Sequence, residues 1–157
     1  MKYLDGELFA QPMRWRWLMT GGTLVATCLL SIGIDGRAME AQPKTVTTHV
    51  VSMIGDADGY RYDPAVITAD AGDSIRFVYV SGGPHNVSFD TATVSAEFTA
   101  VMMRNMPDRL TELLLGKMLL FAGESYTISL EGVAPGTFDF QCLPHLAMKQ
   151  TGRIIVR

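Results

Sequence analysis

The chain has 157 residues, of which 48% are hydrophobic and 18% charged, and a formal net charge of −3. That is room for one ordinary globular domain with its own core. Lys and Arg form no run, so the clustered basic face that nucleic acid requires is missing and nucleic acid is excluded as a partner.

The N-terminal stretch differs from the rest. Trp17 to Ile34 reads WLMTGGTLVATCLLSIGI without a charge, with Arg14 and Arg16 ahead of it and DGRAMEA behind. A basic start, an apolar middle and small residues beyond it form an export signal. Cleavage after Ala38 or Ala41 leaves a mature chain of about 116 to 119 residues. Eighteen apolar residues also suffice to span a bilayer, so a cleaved signal and an uncleaved anchor are both open. In either case the arginines stay inside and the rest is exported, to the periplasm or the outer face of the cytoplasmic membrane. Asp5 and Glu7 are foreign to such a leader and point to Met13 as the translation start. The expected division is residues 1–41, signal peptide or anchor, and 42–157, a single domain.

From Thr45 onward short strands are expected. They are Val46–Met53, Ala65–Ala69, Ser74–Val80, Asn86–Asp90, Ser125–Leu130, Thr137–Gln141 and Gly152–Val156, rich in β-branched and aromatic residues and joined by Gly, Pro and Asp. This spacing predicts an all-β sandwich. One segment departs from it: in DRLTELLLGKMLL, Asp108–Leu120, Leu110, Leu113 and Leu114 fall at helical spacing after Pro107, which predicts a short helix. Met102, Met103, Met106 and Met118 could bind Cu(I) through their thioethers, but core filling is the expected role of such residues.

Cys28 lies inside the leader, which leaves Cys142 as the single thiol of the domain. An exported free thiol oxidises unless something protects it. Cys142 and His145 are three apart at the end of a strand, and His85 follows a Gly-Gly-Pro turn. A thiolate with two imidazoles and a weak axial donor such as Met or Gln is the set preferred by copper in electron-transfer sites. Zinc remains open on the same donors, although structural zinc sites more often pair Cys or His. His49 lies within a strand, in THVVSM, and is expected to stay clear of any metal.

The motifs RYDPAVITADAGDSIRFV, GGPHNVSFD, GESYTISLEGVAPGTFDFQCLPH and GRIIV, from Arg61 to Val156, resemble plastocyanin, the blue copper electron carrier of the cupredoxin family. The resemblance runs over about Thr45 to Arg157 in the family's order. It implies a Greek-key β-sandwich binding one type 1 copper through His85, Cys142 and His145. It further implies that Asn86 ties the His85 loop to the Cys142 loop. In plastocyanin-like loops the axial residue stands two before the Gly that opens the last strand and five after the loop His. Both counts fall on Gln150, whereas Met148 fits only a shorter, amicyanin-like spacing. Gln150 is therefore the expected axial ligand and Met148 the alternative.

The implied activity is outer-sphere electron transfer, without enzyme chemistry. His145 would meet redox protein partners through an apolar patch of Gly82, Gly83, Pro84, Leu143, Pro144, Leu146 and Ala147, with the chain a monomer. No run of carboxylates marks the partner. A multicopper enzyme would need further imidazoles, and a dinuclear copper centre a second Cys in the domain. A copper-binding or storage protein without a redox partner is the remaining alternative.

Overall fold

The computed structural model describes residues 44–110 and 113–157. The expected leader, its cleavage sites, Cys28 and the Met13 start lie outside them. Strand β1 (Thr48–Asp56) turns through Ala57 and Asp58 into β2 (Gly59–Asp63). Gly59 takes φ +106° there, a backbone state that glycine adopts without a Cβ clash. The Asp56 carboxylate staples the turn, accepting from Asp58 N–H at 3.0 Å and from both terminal nitrogens of Arg61 at 2.8 Å.

The remaining strands are β3 (Val66–Ala69), β4 (Ser74–Tyr79), β5 (Ser125–Ser129), β6 (Gly136–Gln141) and β7 (Thr151–Val156). They form two sheets in the orders β2-β1-β4-β5 and β3-β7-β6, with β1–β4 and β3–β7 parallel and the other pairs antiparallel. Alternate residues point inward: Ile75, Phe77 and Tyr79 from β4, Tyr126 and Ile128 from β5, Ile154 and Val156 from β7. At the centre, Tyr62, Phe77 and Phe140 meet edge to face, with ring centroids 4.7 to 5.9 Å apart. The fold is the expected all-β sandwich with one short helix.

That helix is not where the leucine spacing puts it. α1 spans Ala96–Asn105. The Ser95 side chain caps it by accepting from Phe98 N–H at 3.1 Å, satisfying one of the orphan amides of its first turn. Phe98 and Met102, four apart, form its buried stripe, and Phe98 stacks on Phe138 at 4.0 Å. The helix stops at Met106, which precedes Pro107 and takes an extended conformation, as the residue before a proline prefers. Met102 and Met106 are buried and Met103 packs on the same cluster, so these methionines fill core.

The predicted helix at Asp108–Leu120 is absent from its described residues. Asp108 takes a left-handed φ of 49°, and the backbone groups that follow bond elsewhere. Phe89 N–H donates to Leu114 O, Gly116 N–H to Val87 O, His85 N–H to Leu119 O and Leu119 N–H to His85 O, at 2.8 to 3.0 Å. The leucine segment thus lies alongside residues 85–89 as their backbone partner. Those residues form isolated bridges to Leu119, Leu115 and Gln141 in place of the strand predicted at Asn86–Asp90.

Candidate metal centre

Two stretches of chain meet at one end of the sandwich. In the loop from β6 to β7, Cys142 follows β6 directly, a 3₁₀ segment (Leu143–Met148) carries His145, and Gln150 precedes β7. His85 arrives on a separate segment, held by Leu115 and Leu119. A close crossing fixes the base of its loop. A Cβ on Gly82 would lie 2.2 Å from the Gly55 Cα, and Gly82 itself takes φ +94°. Gly55 N–H donates to Ser81 O at 2.9 Å and the Ser81 hydroxyl to Gly55 O at 3.0 Å.

The donor atoms of His85, Cys142 and His145 lie within 4.8 Å of one another, all three residues buried. The Cys142 sulfur is 3.7 Å from His85 Nδ1 and 3.4 Å from His145 Nδ1. Gln150, fully buried, places Oε1 3.0 Å from both Nδ1 atoms. Met148, by contrast, is 48% exposed. Between them Lys149 takes the left-handed conformation at φ 61°. The sequence-predicted residues His85, Cys142, His145 and Gln150 are thus together, and the alternative Met148 faces out. His49 is remote from them, bonded to Asp73 at 2.9 Å.

Hydrogen bonding around the cluster shows what it can hold. His85 Nε2 lies 2.8 Å from Ser81 O, an oxygen that only accepts, so Nε2 carries the proton and the neutral ring offers a lone pair at Nδ1. Gln150 Nε2 donates to Arg61 O at 3.1 Å, which turns Oε1 toward the histidines. In that neutral form Nδ1 and the Gln150 amide oxygen 3.0 Å away are both acceptors, and what they can share is a cation, a proton or a metal ion. With a soft sulfur beside borderline nitrogens, the donor set fits copper.

Burial pushes the Cys142 thiol pKa up, and the backbone N–H groups of Asn86 and His145 and the Tyr62 hydroxyl pull it part of the way back. A metal that takes the thiolate displaces that proton. Burial, reinforced by the nearby His85, lowers the pKa of His145, against the Gln150 oxygen that would accept from a protonated ring, and this favours the neutral ring that binds metals. As the resemblance implies, Asn86 ties the loops together, its Oδ1 accepting from Leu143 N–H at 2.9 Å. Its Nδ2 is buried without a partner among the described residues.

Sequence reasoning missed β2, whose Tyr60 stacks on His145 with ring centroids 3.9 Å apart. The signal was available: tyrosines at alternate positions, 60 and 62, before a proline are a short strand's pattern.

A two-sheet sandwich with a buried Cys and two His at one end defines the class, a cupredoxin-type copper protein. Residues 47–157 match the family described as copper binding proteins of the plastocyanin/azurin family, and the chain belongs to that family. Plastocyanin of Prochlorothrix hollandica is 31% identical over 118 residues, 75% of this chain and 79% of the relative. The copper-resistant cuproprotein CopI of Rubrivivax gelatinosus is 34% identical over 126 residues, 78% of this chain and 73% of the relative. Among solved structures, oxidised plastocyanin of the fern Dryopteris crassirhizoma superposes with a TM-score of 0.54 at 25% identity, over 69% of this chain and 99% of that one. A pseudoazurin from Sinorhizobium gives 0.50 at 28% identity, over 71% and 75%. The cofactor of this chain is copper.

Proposed function

We propose that the chain is an exported single-electron carrier and not an enzyme, binding one type 1 copper through His85 Nδ1, Cys142 Sγ and His145 Nδ1, with Gln150 Oε1 as axial donor. The observation that carries this is the convergence of an amide oxygen, two imidazole nitrogens and a thiol, all buried. Bound copper supplies the one-electron couple. The protein excludes water, fixes the donors before and after transfer, and presents His145 near the surface at 5% exposure. Leu143 and Leu146, about half exposed beside His145, are the apolar contact for redox protein partners, together with residues 82–84. A small contact of that kind suits fast release. The proposed division is a leader or anchor over residues 1–41 and the copper domain over 42–157. Its support is the export pattern of the N-terminal sequence and a family match that begins at residue 47. Among the described residues no helix is long and apolar enough to cross a membrane.

Cu(II) added to the purified protein is expected to produce an intense blue or green colour from thiolate-to-copper charge transfer, and a colourless product overturns the type 1 reading. The similarity to a copper-resistant cuproprotein favours a second reading, copper binding or storage without a redox partner. Fast, reversible reduction of the coloured protein supports the carrier, and slow or irreversible reduction supports storage.

A further inference from the structure

β2 supplies none of the proposed ligands, yet three consecutive residues of it reach the surroundings of all four. The Tyr60 ring lies 3.9 Å from that of His145 with the planes 21° apart, and 6.3 Å from that of His85. The Arg61 carbonyl accepts from Gln150 Nε2 at 3.1 Å. The Tyr62 hydroxyl donates at 2.7 Å to the carbonyl of Asn86. Asn86 follows His85 and accepts from Leu143, which follows Cys142. β2 sits at the edge of its sheet and contacts both β7 and the 3₁₀ segment of the other. Strand alternation puts Tyr60 and Tyr62 on one face while the Arg61 side chain turns back to Asp56.

Each contact removes a freedom that the ligand's own segment leaves open. The His145 ring sits on a short 3₁₀ segment with a kink at His145 itself, and stacking on Tyr60 restricts its rotation. A glutamine amide can present either its oxygen, which accepts, or its NH₂, which cannot ligate. The Arg61 carbonyl selects the oxygen. The Tyr62 hydroxyl fixes the Asn86–Val87 peptide, one residue beyond His85.

We infer that β2 is the template of the copper site, with Tyr60 and Tyr62 as positioning residues and the Arg61 carbonyl as the group that selects the Gln150 oxygen. These contacts are made by the protein alone, so β2 acts on the donors whether or not copper is bound. This inference rests on the copper-site reading, and its test separates the two.

The test compares the wild-type chain with Tyr60→Leu, Tyr60→Phe and Tyr62→Phe, each metal-free and Cu(I)-loaded. NMR reads the His145 ring and the Gln150 side-chain amide, and a competition titration gives copper affinity. In the wild type, Gln150 NH₂ protection and His145 ring rigidity are expected to be the same with and without metal. Tyr60→Leu is expected to free the His145 ring in the metal-free protein and weaken copper binding by about 10-fold or more, the usual effect of losing a residue that orients a ligand. Tyr60→Phe keeps the stack and restores both. A folded Tyr60→Leu with unchanged ring motion and affinity overturns the template, as does a Gln150 amide that averages freely in the metal-free wild type. If Tyr60→Leu does not fold, Tyr62→Phe decides: broadened Asn86 and His85 signals support the template and unchanged signals overturn it. Absence of colour with Cu(II) removes the copper reading itself, whereas normal Cu(II) colour with a mobile metal-free site removes the template alone.

Discussion

Two clusters, each built around histidine, sit toward opposite ends of β1. Near its start, His49 Nε2 lies 2.9 Å from Asp73 Oδ2, and the same carboxylate accepts from the Thr47 and Asp70 amides at 3.0 Å. The Asp73 carboxylate takes all three bonds, and the cluster pins the start of β1 to the turn between β3 and β4. Beyond the other end of β1, the imidazole lone pair of His85, the Gln150 amide oxygen and the Cys142 sulfur face one another. The carboxylate of one and the surface-nearest imidazole of the other are equally buried, Asp73 at 4% exposed and His145 at 5%. What separates them is the balance of donors and acceptors. A balanced cluster is a latch, and one with an excess of lone pairs is a site for a cation.

The largest effect is expected from loosening the lone-pair cluster at its base. Gly82→Ala places a methyl 2.2 Å from the Gly55 backbone on a residue at φ +94°. It should cost about 2 kcal/mol or more in chemical denaturation and move the His85 loop, weakening the charge-transfer colour as well. A variant that unfolds at the wild-type midpoint with full colour would show that the crossing does not hold the loop.

Gln150→Met comes next. The Arg61 carbonyl loses its donor, at about 1 kcal/mol, and a thioether replaces an amide oxygen. A thioether favours Cu(I) over Cu(II), so the reduction potential should rise. Voltammetry reads this directly, and an unchanged potential removes Gln150 from the metal.

Cys142 and His145 were legible as a candidate pair from their offset of three in one short loop, whereas the offset of five that singles out Gln150 came from the resemblance to plastocyanin-like loops. Burial alternation was legible too, and most strands fell near their predicted places. The helix was misplaced for a physical reason. Leu110, Leu113 and Leu114 carry helical spacing, but the backbone of their segment bonds to residues 85–89, a partner no local pattern reveals. Phe98 and Met102 show the same period in the true helix, with a Ser cap that could have been weighed. The contacts of β2 were illegible for the same reason: Arg61 and Gln150 lie 89 residues apart.

The balanced cluster makes a contrasting prediction in acid. The His49 side chain foremost, with the Thr47 and Asp70 amides, lowers the Asp73 pKa to about 2, against about 3.9 for a free aspartate. Its contribution to stability is therefore fully present above about pH 4 and is lost as pH falls through about 2. Asp73→Asn should flatten the fall of stability across that window while leaving the colour at neutral pH intact. If acid unfolding keeps its wild-type slope, other carboxylates govern it.

The smallest effect is expected from the residue that looks most like a copper ligand. Met148 is separated from His145 by two residues, but it is 48% exposed, and the left-handed turn at Lys149 precedes the buried Gln150. Met148→Leu keeps the size and apolar character of the side chain and removes the sulfur. If the amide oxygen of Gln150 is the axial donor, the absorption spectrum and the reduction potential should both remain at wild-type values. A shift in either would place the thioether at the metal and the Gln150 amide in a purely structural bond to Arg61. The pair Gln150→Met and Met148→Leu thus tests one assignment from both sides, since a single axial position cannot respond to both changes.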